Sequence, residues 1–291
     1  MALVELGGVF DQLKIRRLRH QLAAHPLMTA PRLAELALRI HPDYVRFHDG
    51  ERRLGTNLDA ILGNDPDRHR LRKALDNLHR ADAFVQIINL RSDPAYRAVV
   101  DELLDEVTLL LPVRDRRLVN RDAAAFLASP GSTTPFHLDH EQNFLCHLQG
   151  AKTLYVWDHR DRSIVSERAL ERFFHEGQLI GASYQPEMLA KAHAFALAPG
   201  DCVYMPMGSP HAVSTGGDIT ATVSFLLNTR SAFETVEVYR ANCVMRRLGL
   251  SPTPVGDSVV RDTLKLRTLG AARRVRDLAR GHTTEPRLQW Y

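Results

Sequence analysis

Lysine is scarce in this chain of 291 residues. Only Lys14, Lys73, Lys152, Lys191 and Lys265 stand among its 38 cationic residues, and the others are arginine. Where a positive charge alone suffices, the sequence nearly always carries arginine, so a lysine at a structured position asks for a reason. Cysteine is scarcer still. Cys146, Cys202 and Cys243 are odd in number, far apart and never in a CxxC pair, which argues against a disulfide framework and a thiolate zinc site. No run of about 18 apolar residues suggests a membrane span. The opening "MALVELGGVFDQLKIRRLRH" lacks the basic-then-apolar order of a secretory signal. These absences lead to the expectation of a soluble, cytoplasmic protein.

What is present is ordinary in bulk and uneven in detail. Hydrophobic residues make up 44% and charged residues 25%, enough apolar side chains for one large core or two modest ones. The net charge of +4 is mild, yet from Arg240 to Tyr291 there are eleven Lys or Arg against four Asp or Glu. A basic end can meet nucleic acid or another polyanion. A solvated helix face accounts for it more simply, so nucleic acid is not the favoured partner.

The first third reads as helical. "TAPRLAELALRI" places Pro31 in a first turn and spaces leucines on one stripe, and "PDRHRLRKALDNLHRAD" repeats the pattern. "FVQIINL" (84–90) reads as a strand. "SDPAYRAVVDELLDEVTLLL" reads as a helix capped by Ser92 or Asp93. Near Arg121 the texture changes to short apolar runs split by turn signals such as Pro130-Gly131, Gly150, Pro199-Gly200 and Gly216-Gly217. Eight candidate strands follow, interrupted by a helix-like insert at about 163–190, and eight is the number a double-sheet jelly roll of the cupin kind needs. The expected plan is a mainly β core, a double-stranded β-helix, with helical extensions. Residues 1–120 form a helical region packing on the barrel, 121–230 the jelly-roll core, and 231–291 a helical end.

The chemistry concentrates in "STTPFHLDHEQNF". Side chains alternate faces along a strand, so His137 and Asp139 point one way and Leu138 the other. Two ligands at i and i+2 can hold one metal, and a third must come from elsewhere. His211, opening the seventh strand after "PGDCVYMPMGSP", is the best candidate, because in a jelly roll that strand can lie beside the second. Two imidazoles and a carboxylate make the facial triad of non-haem iron(II) oxygenases, with open positions opposite. The same donors suit zinc, manganese or nickel. His140 reads as a neighbour of the site or a surface residue, and His147, His159, His175 and His193 as ordinary histidines.

Two blocks carry a family resemblance. "TPFHLDHEQNFLCHLQGAKTLYVW" and "PGDCVYMPMGSPHAV" with "GGDITATVSF" resemble the JmjC and cupin-like 2-oxoglutarate oxygenases. The likeness is strongest to the branch typified by the asparaginyl hydroxylase of hypoxia-inducible factor, and it covers residues from about 120 to 230. It implies Fe(II), held by His137, Asp139 and His211, with 2-oxoglutarate as cosubstrate and O2. No catalytic side chain beyond the metal ligands is implied. By the same resemblance Thr134 and Lys152 hold the distal carboxylate of 2-oxoglutarate, and Asn143 lies near its chelating end. The chemistry agrees: a dicarboxylate that chelates a metal at one end leaves a bare anion at the other, which needs a cation and a hydroxyl. A compact ammonium fits a narrow barrel better than a planar guanidinium, which gives the rare lysine its reason.

The chain departs from that branch in three places. Ser224 replaces a second asparagine near the cosubstrate. Gly208-Ser209-Pro210 replaces aromatics that border a peptide substrate, so asparagine hydroxylation does not carry over. A tyrosine that completes the cosubstrate site has no counterpart on "AAAFLAS", and Gln86 is the residue proposed to point into the pocket instead. The reaction expected is hydroxylation of an unactivated C–H, with release of succinate and CO2, on a peptide or protein side chain. Alternatives are a small-molecule hydroxylase, such as one acting on an amino acid or natural product, an RNA-modifying relative, and a catalytically silent metal-binding module. A cupin isomerase or lyase would carry an HxH pattern where this chain has "HLD". The apolar residues Val236, Val244, Leu248, Val259, Leu264 and Leu266 of the carboxy-terminal helices are candidates for a homodimer contact, or for packing on the chain's own barrel.

Overall fold

The computed structural model describes residues 10–57, 63–64 and 67–279. Twelve strands appear among them. Four precede the expected barrel: β1 (Arg16–Arg19), β2 (Val45–Asp49), β3 (Gly63–Asn64) and β4 (Ala83–Ile87). The eight expected strands follow as β5 (Asn120–Ala128), β6 (Thr133–His137), β7 (Gln142–Gln149), β8 (Lys152–Val156), β9 (His193–Leu197), β10 (Asp201–Met205), β11 (His211–Thr215) and β12 (Thr220–Asn228). They form two antiparallel sheets. The smaller has the order β6-β11-β8-β9, and the larger runs β1-β10-β7-β12-β5-β4-β2-β3. The sets β5, β7, β10, β12 and β6, β8, β9, β11 are the two faces of a jelly roll.

The alternation in β12 shows how the sequence builds this. Ala221, Val223, Phe225 and Leu227 point to the outer core, among the leucines and valines of the helices. Thr220, Thr222 and Ser224 point the other way, into the space between the sheets. A strand buried on both faces therefore keeps a polar row at period two. One end of that interior is closed by Leu145, Leu154, Val156, Leu197, Val203, Met205 and Val213. The other end is open.

Helices cover the outer face of the larger sheet. α1 (Ala30–Arg39) is capped by Thr29, whose hydroxyl accepts from Arg32 N–H. α2 (Arg68–Asp76) is capped by Asp67. α3 (Pro94–Leu110) starts at Asp93, whose carboxylate accepts from Ala95 and Tyr96 N–H, a cap worth about 1 kcal/mol. Its buried stripe of Val99, Val100, Leu103, Leu104 and Val107 follows the 3.6-residue period. α4 (Glu167–Glu176) occupies the insert, and α5 (Arg230–Arg247) and α6 (Val259–Ala279) end the described chain. No helix among the described residues is long and apolar enough to cross a membrane.

The first third is less helical than its sequence pattern suggests. β4 falls where "FVQIINL" predicts a strand, but β1 and β2 are additions: short segments that take strand form because they pair with β10 and with β4. Tertiary pairing decides such segments, since four or five residues carry too little periodicity of their own. The three cysteines are free and buried. Of the candidate contact residues in the carboxy-terminal helices, Val236 is buried in the chain's own core, while Val244, Leu248, Val259 and Leu264 are exposed and Leu266 is half-buried. The basic residues from Arg273 onward lie outside the described side chains.

Two turn glycines separate backbone strain from crowding. Gly131 has φ +69° with nothing near a would-be Cβ, whereas at Gly150, φ +79°, a Cβ would sit 2.5 Å from the Ile219 carbonyl oxygen. Gly131→Ala should cost about 1–2 kcal/mol. Gly150→Ala should cost about 2–5 kcal/mol because overpacking adds to the strain. Urea melts of the two variants check the order.

Candidate metal and cosubstrate site

His211 opens β11 directly opposite His137, the last residue of β6, in the antiparallel register. The two imidazole centroids are 4.1 Å apart. Asp139 stands just past the end of β6, in the turn to β7. Its carboxylate oxygens lie 3.9 Å from His137 Nε2 and 3.6 Å from His211 Nε2. One ligand atom from each of the three fits within 4.8 Å of the others, the only such His, Cys, Asp or Glu group found among the described residues. The sequence pattern predicts Asp139 on the strand; the chain instead leaves the sheet after His137.

Backbone carbonyls orient both rings. His137 Nδ1 donates to Pro135 O at 2.8 Å, and His211 Nδ1 donates to Ser209 O at 3.0 Å. In each case the acceptor is two residues upstream, and Nε2 is left as the free nitrogen facing the carboxylate. Such outer hydrogen bonds fix the tautomer a metal needs. Burial pushes the His211 imidazole down to about 4, with His137 adding to the effect. For Asp139 burial alone would raise the carboxyl. His211, His137 and the Asn143 amide, which donates to Oδ2 at 2.8 Å, together hold it below its ordinary value. A carboxylate beside a neutral imidazole is the ligating state of both groups.

The triad opens into a cavity of about 660 Å3 between the sheets, which Thr134, Asn143, Lys152, Ser224 and Gln86 also line. Lys152, first residue of β8, is buried there. Its ammonium donates to the Thr222 hydroxyl, and no carboxylate pairs with it among the described residues. Burial accordingly pushes its pKa down to about 7. Asn143 Oδ1, Ser224 Oγ and Gln86 Oε1 are buried polar atoms without a partner among the described residues. A buried cation facing a cavity without a counter-charge is costly unless an anion arrives. A triad of Fe(II)-type donors at one end and this ammonium in the same cavity fit a metal-chelating dicarboxylate such as 2-oxoglutarate.

Some site residues are absent from the sequence reading. Thr222 is one, although the period-two row Thr220, Thr222, Ser224 in "TATVSF" marks it. Tyr184, from the insert, lines the same cavity. His140 is half-buried, stacked on Phe173 with ring centroids 3.9 Å apart and planes within 3°, and it is not part of the ligand group. His147 is fully buried behind Lys152. His159 is also held low, at about 4, by burial, His175 contacts Arg247, and His193 is exposed on β9.

Removing the outer hydrogen bond should loosen the metal without deleting a ligand. Asn143→Ala is expected to weaken Co(II) binding by roughly 10- to 100-fold. Asp139→Ala should weaken it further, both read from the visible absorption of a Co(II) titration.

Comparisons with known proteins agree with the fold. A family model described as a cupin-like domain matches residues 41–232, so the matched region takes in β2 to β4 together with the barrel. The Jumonji C domain-containing protein 5 of Drosophila melanogaster is 30% identical over 90 residues, which are 29% of this chain and 22% of the fly protein. The crystal structure of E. coli YcfD superposes with a TM-score of 0.52 at 16% identity, covering 90% of this chain and 64% of that one. A structure described as the ribosomal oxygenase YcfD of Escherichia coli with cobalt and 2-oxoglutarate gives a TM-score of 0.48 at 16% identity, covering 90% and 63%. The chain thus spans less than two thirds of the length of these relatives. Likeness to the asparaginyl hydroxylase branch is approximate, and the match over the barrel and over β2 to β4 before it places the chain in the cupin-like domain family.

Proposed function

We propose that this protein is an Fe(II)- and 2-oxoglutarate-dependent dioxygenase that hydroxylates an unactivated C–H of a peptide or protein side chain. The observation that carries the reading is Lys152: a buried ammonium with no carboxylate partner among the described residues, lining the same cavity as His137, Asp139 and His211. His137, Asp139 and His211 would hold Fe(II), and Lys152 with Thr134 would hold the distal carboxylate of 2-oxoglutarate. Asn143 and Ser224 offer their free oxygens near the chelating end. Bound together, metal and cosubstrate supply O2-dependent hydroxylation with release of succinate and CO2. The chain's own residues bind, orient and exclude water, and no general base is required of them.

The triad is graded in exposure. The His211 side chain is 5% exposed, those of His137 and Asp139 21% and 27%. The open side faces solvent, where a side chain carried on a larger molecule can reach it. A cavity of about 660 Å3 also falls within the range of roughly 300–1,000 Å3 typical of small-ligand sites, which supports a small-molecule substrate as the second reading. Three buried free thiols suit a reducing, cytoplasmic compartment. Exposed Val244, Leu248, Val259 and Leu264 form the apolar surface proposed for a homodimer. Sedimentation should then show two copies, and Leu264→Glu one.

Succinate release under air that requires added iron and disappears in Asp139→Ala tests the chemistry; turnover surviving that change would exclude the triad. A mass-spectrometric search for a product heavier by one oxygen, among peptides and metabolites, tests the substrate class. Lys152→Ala should weaken 2-oxoglutarate by roughly 10- to 150-fold, the loss of a charge-assisted contact. Affinity should also depend on pH. The free ammonium titrates near 7 and the anion binds its charged form, so affinity holds below about pH 7 and falls above it. The limit is about tenfold per pH unit. Lys152→Arg keeps its charge throughout, so a titration of that variant should lose the alkaline fall.

A further inference from the structure

Behind Lys152 lies a chain of hydrogen bonds with a fixed direction. His147 Nε2 is 2.9 Å from the Gly150 carbonyl oxygen, and Nδ1 is 3.3 Å from Thr222 Oγ1. A carbonyl can only accept, so Nε2 carries the proton. The ring is neutral, held near 4 by burial and by the charge of Lys152, so Nδ1 is a bare acceptor. The Thr222 hydroxyl must therefore donate to it. Its lone pairs are then left for the Lys152 ammonium, which donates to Oγ1. Every group is used in one sense only: Lys152 to Thr222, Thr222 to His147, His147 to Gly150.

The turn from β7 in the larger sheet to β8 in the smaller one closes this chain on itself. His147 and Lys152 flank the turn at Gly150, while Thr222 stands opposite His147 in the register of β12 with β7. The β7 end is held from behind as well. His147 O accepts from Gly200 N–H at 3.0 Å and from His20 Nε2 at 2.9 Å. An ammonium has three donors, and with one committed to Thr222 the other two remain for a ligand in the cavity.

We infer that His147 is a positioning residue for the cosubstrate: through Thr222 it holds the Lys152 ammonium toward the distal carboxylate of 2-oxoglutarate. This rests on the dioxygenase reading above. Without a bare nitrogen at Nδ1, the Thr222 hydroxyl is free to turn its proton toward the ammonium, and the acceptor that orients Lys152 is lost.

The test is isothermal titration of 2-oxoglutarate into the full chain loaded with Mn(II). His147→Leu should weaken binding by roughly 3- to 10-fold, the scale of one lost hydrogen bond, with Mn(II) affinity unchanged. Thr222→Val should do the same or more, and Thr222→Ser should stay within about twofold of the parent because the hydroxyl is kept. The effects should not add: in a Thr222→Val background, His147→Leu should change the cosubstrate affinity no further. Additive losses, or a folded His147→Leu that binds like the parent, would overturn the inference. If His147→Leu fails to fold, equal weakening by Thr222→Val and Thr222→Ser overturns it, and a difference between them supports it. Nitrogen NMR of the histidines in the ligand-free protein gives a separate reading, since a protonated Nδ1 at His147 would reverse the chain and sink the idea. A parent that binds no 2-oxoglutarate would remove the dioxygenase reading and this inference together, whereas a parent that binds it leaves the variants to judge the inference alone.

Discussion

The antiparallel pairing of β6 with β11 is the constraint on which the site depends. It sets His211 across from His137, and the carboxylate of Asp139 closes the group from the turn that follows. A shift of either strand by one residue would turn one histidine to the opposite face. Neighbouring contacts protect that register. β11 pairs along its whole length with β8 on its other side, and Phe136 N–H on the outer side of β6 donates to Leu54 O at 2.9 Å. The same pairing aligns Lys152 with Thr215 at the far end of β11, so one strand fixes the places of both His211 and Lys152.

Most of the barrel was legible from the sequence because its strands advertise themselves. Period-two alternation and glycine or proline turns recur from Arg121 to Asn228, and all eight expected strands form. The closeness of His137, Asp139 and His211 was legible because both histidines sit on strands with a known place in a jelly roll. What escaped is what tertiary pairing alone decides. β1 and β2 have no pattern strong enough to announce a strand, yet they lengthen the larger sheet on both sides. Alternation predicts Asp139 on a strand because it says nothing about where pairing stops. Thr222 and His147 do not stand out, because a threonine and a histidine inside apolar strands look like ordinary core residues until Lys152 is found beside Thr222.

The larger sheet also explains how one chain holds both a dry and a wet end. Its outer face is sealed by α1, α2 and α3, and part of its interior by Leu145, Leu154, Val203 and Met205. The remaining interior carries polar side chains, and cross-strand rows continue from strand to strand. Thr222 faces Phe126 on β5, which faces Gln86 on β4, which faces Arg46 on β2. The added strands therefore carry the cavity wall beyond the jelly roll proper. They turn a socket for a small dicarboxylate into a longer trough.

His137 and His211 take their orientation from a main-chain oxygen two residues upstream, Pro135 for one and Ser209 for the other. An oxygen of that kind is present whatever side chain the position bears. Sequence drift at 135 and 209 can thus reshape the rim of the cavity while leaving the imidazoles aimed as before. The carboxylate arm has no such insurance, since its partner is the side chain of Asn143. Descendants of this sequence would be free to explore new substrates around the histidines, and would be held to a narrow choice at residue 143.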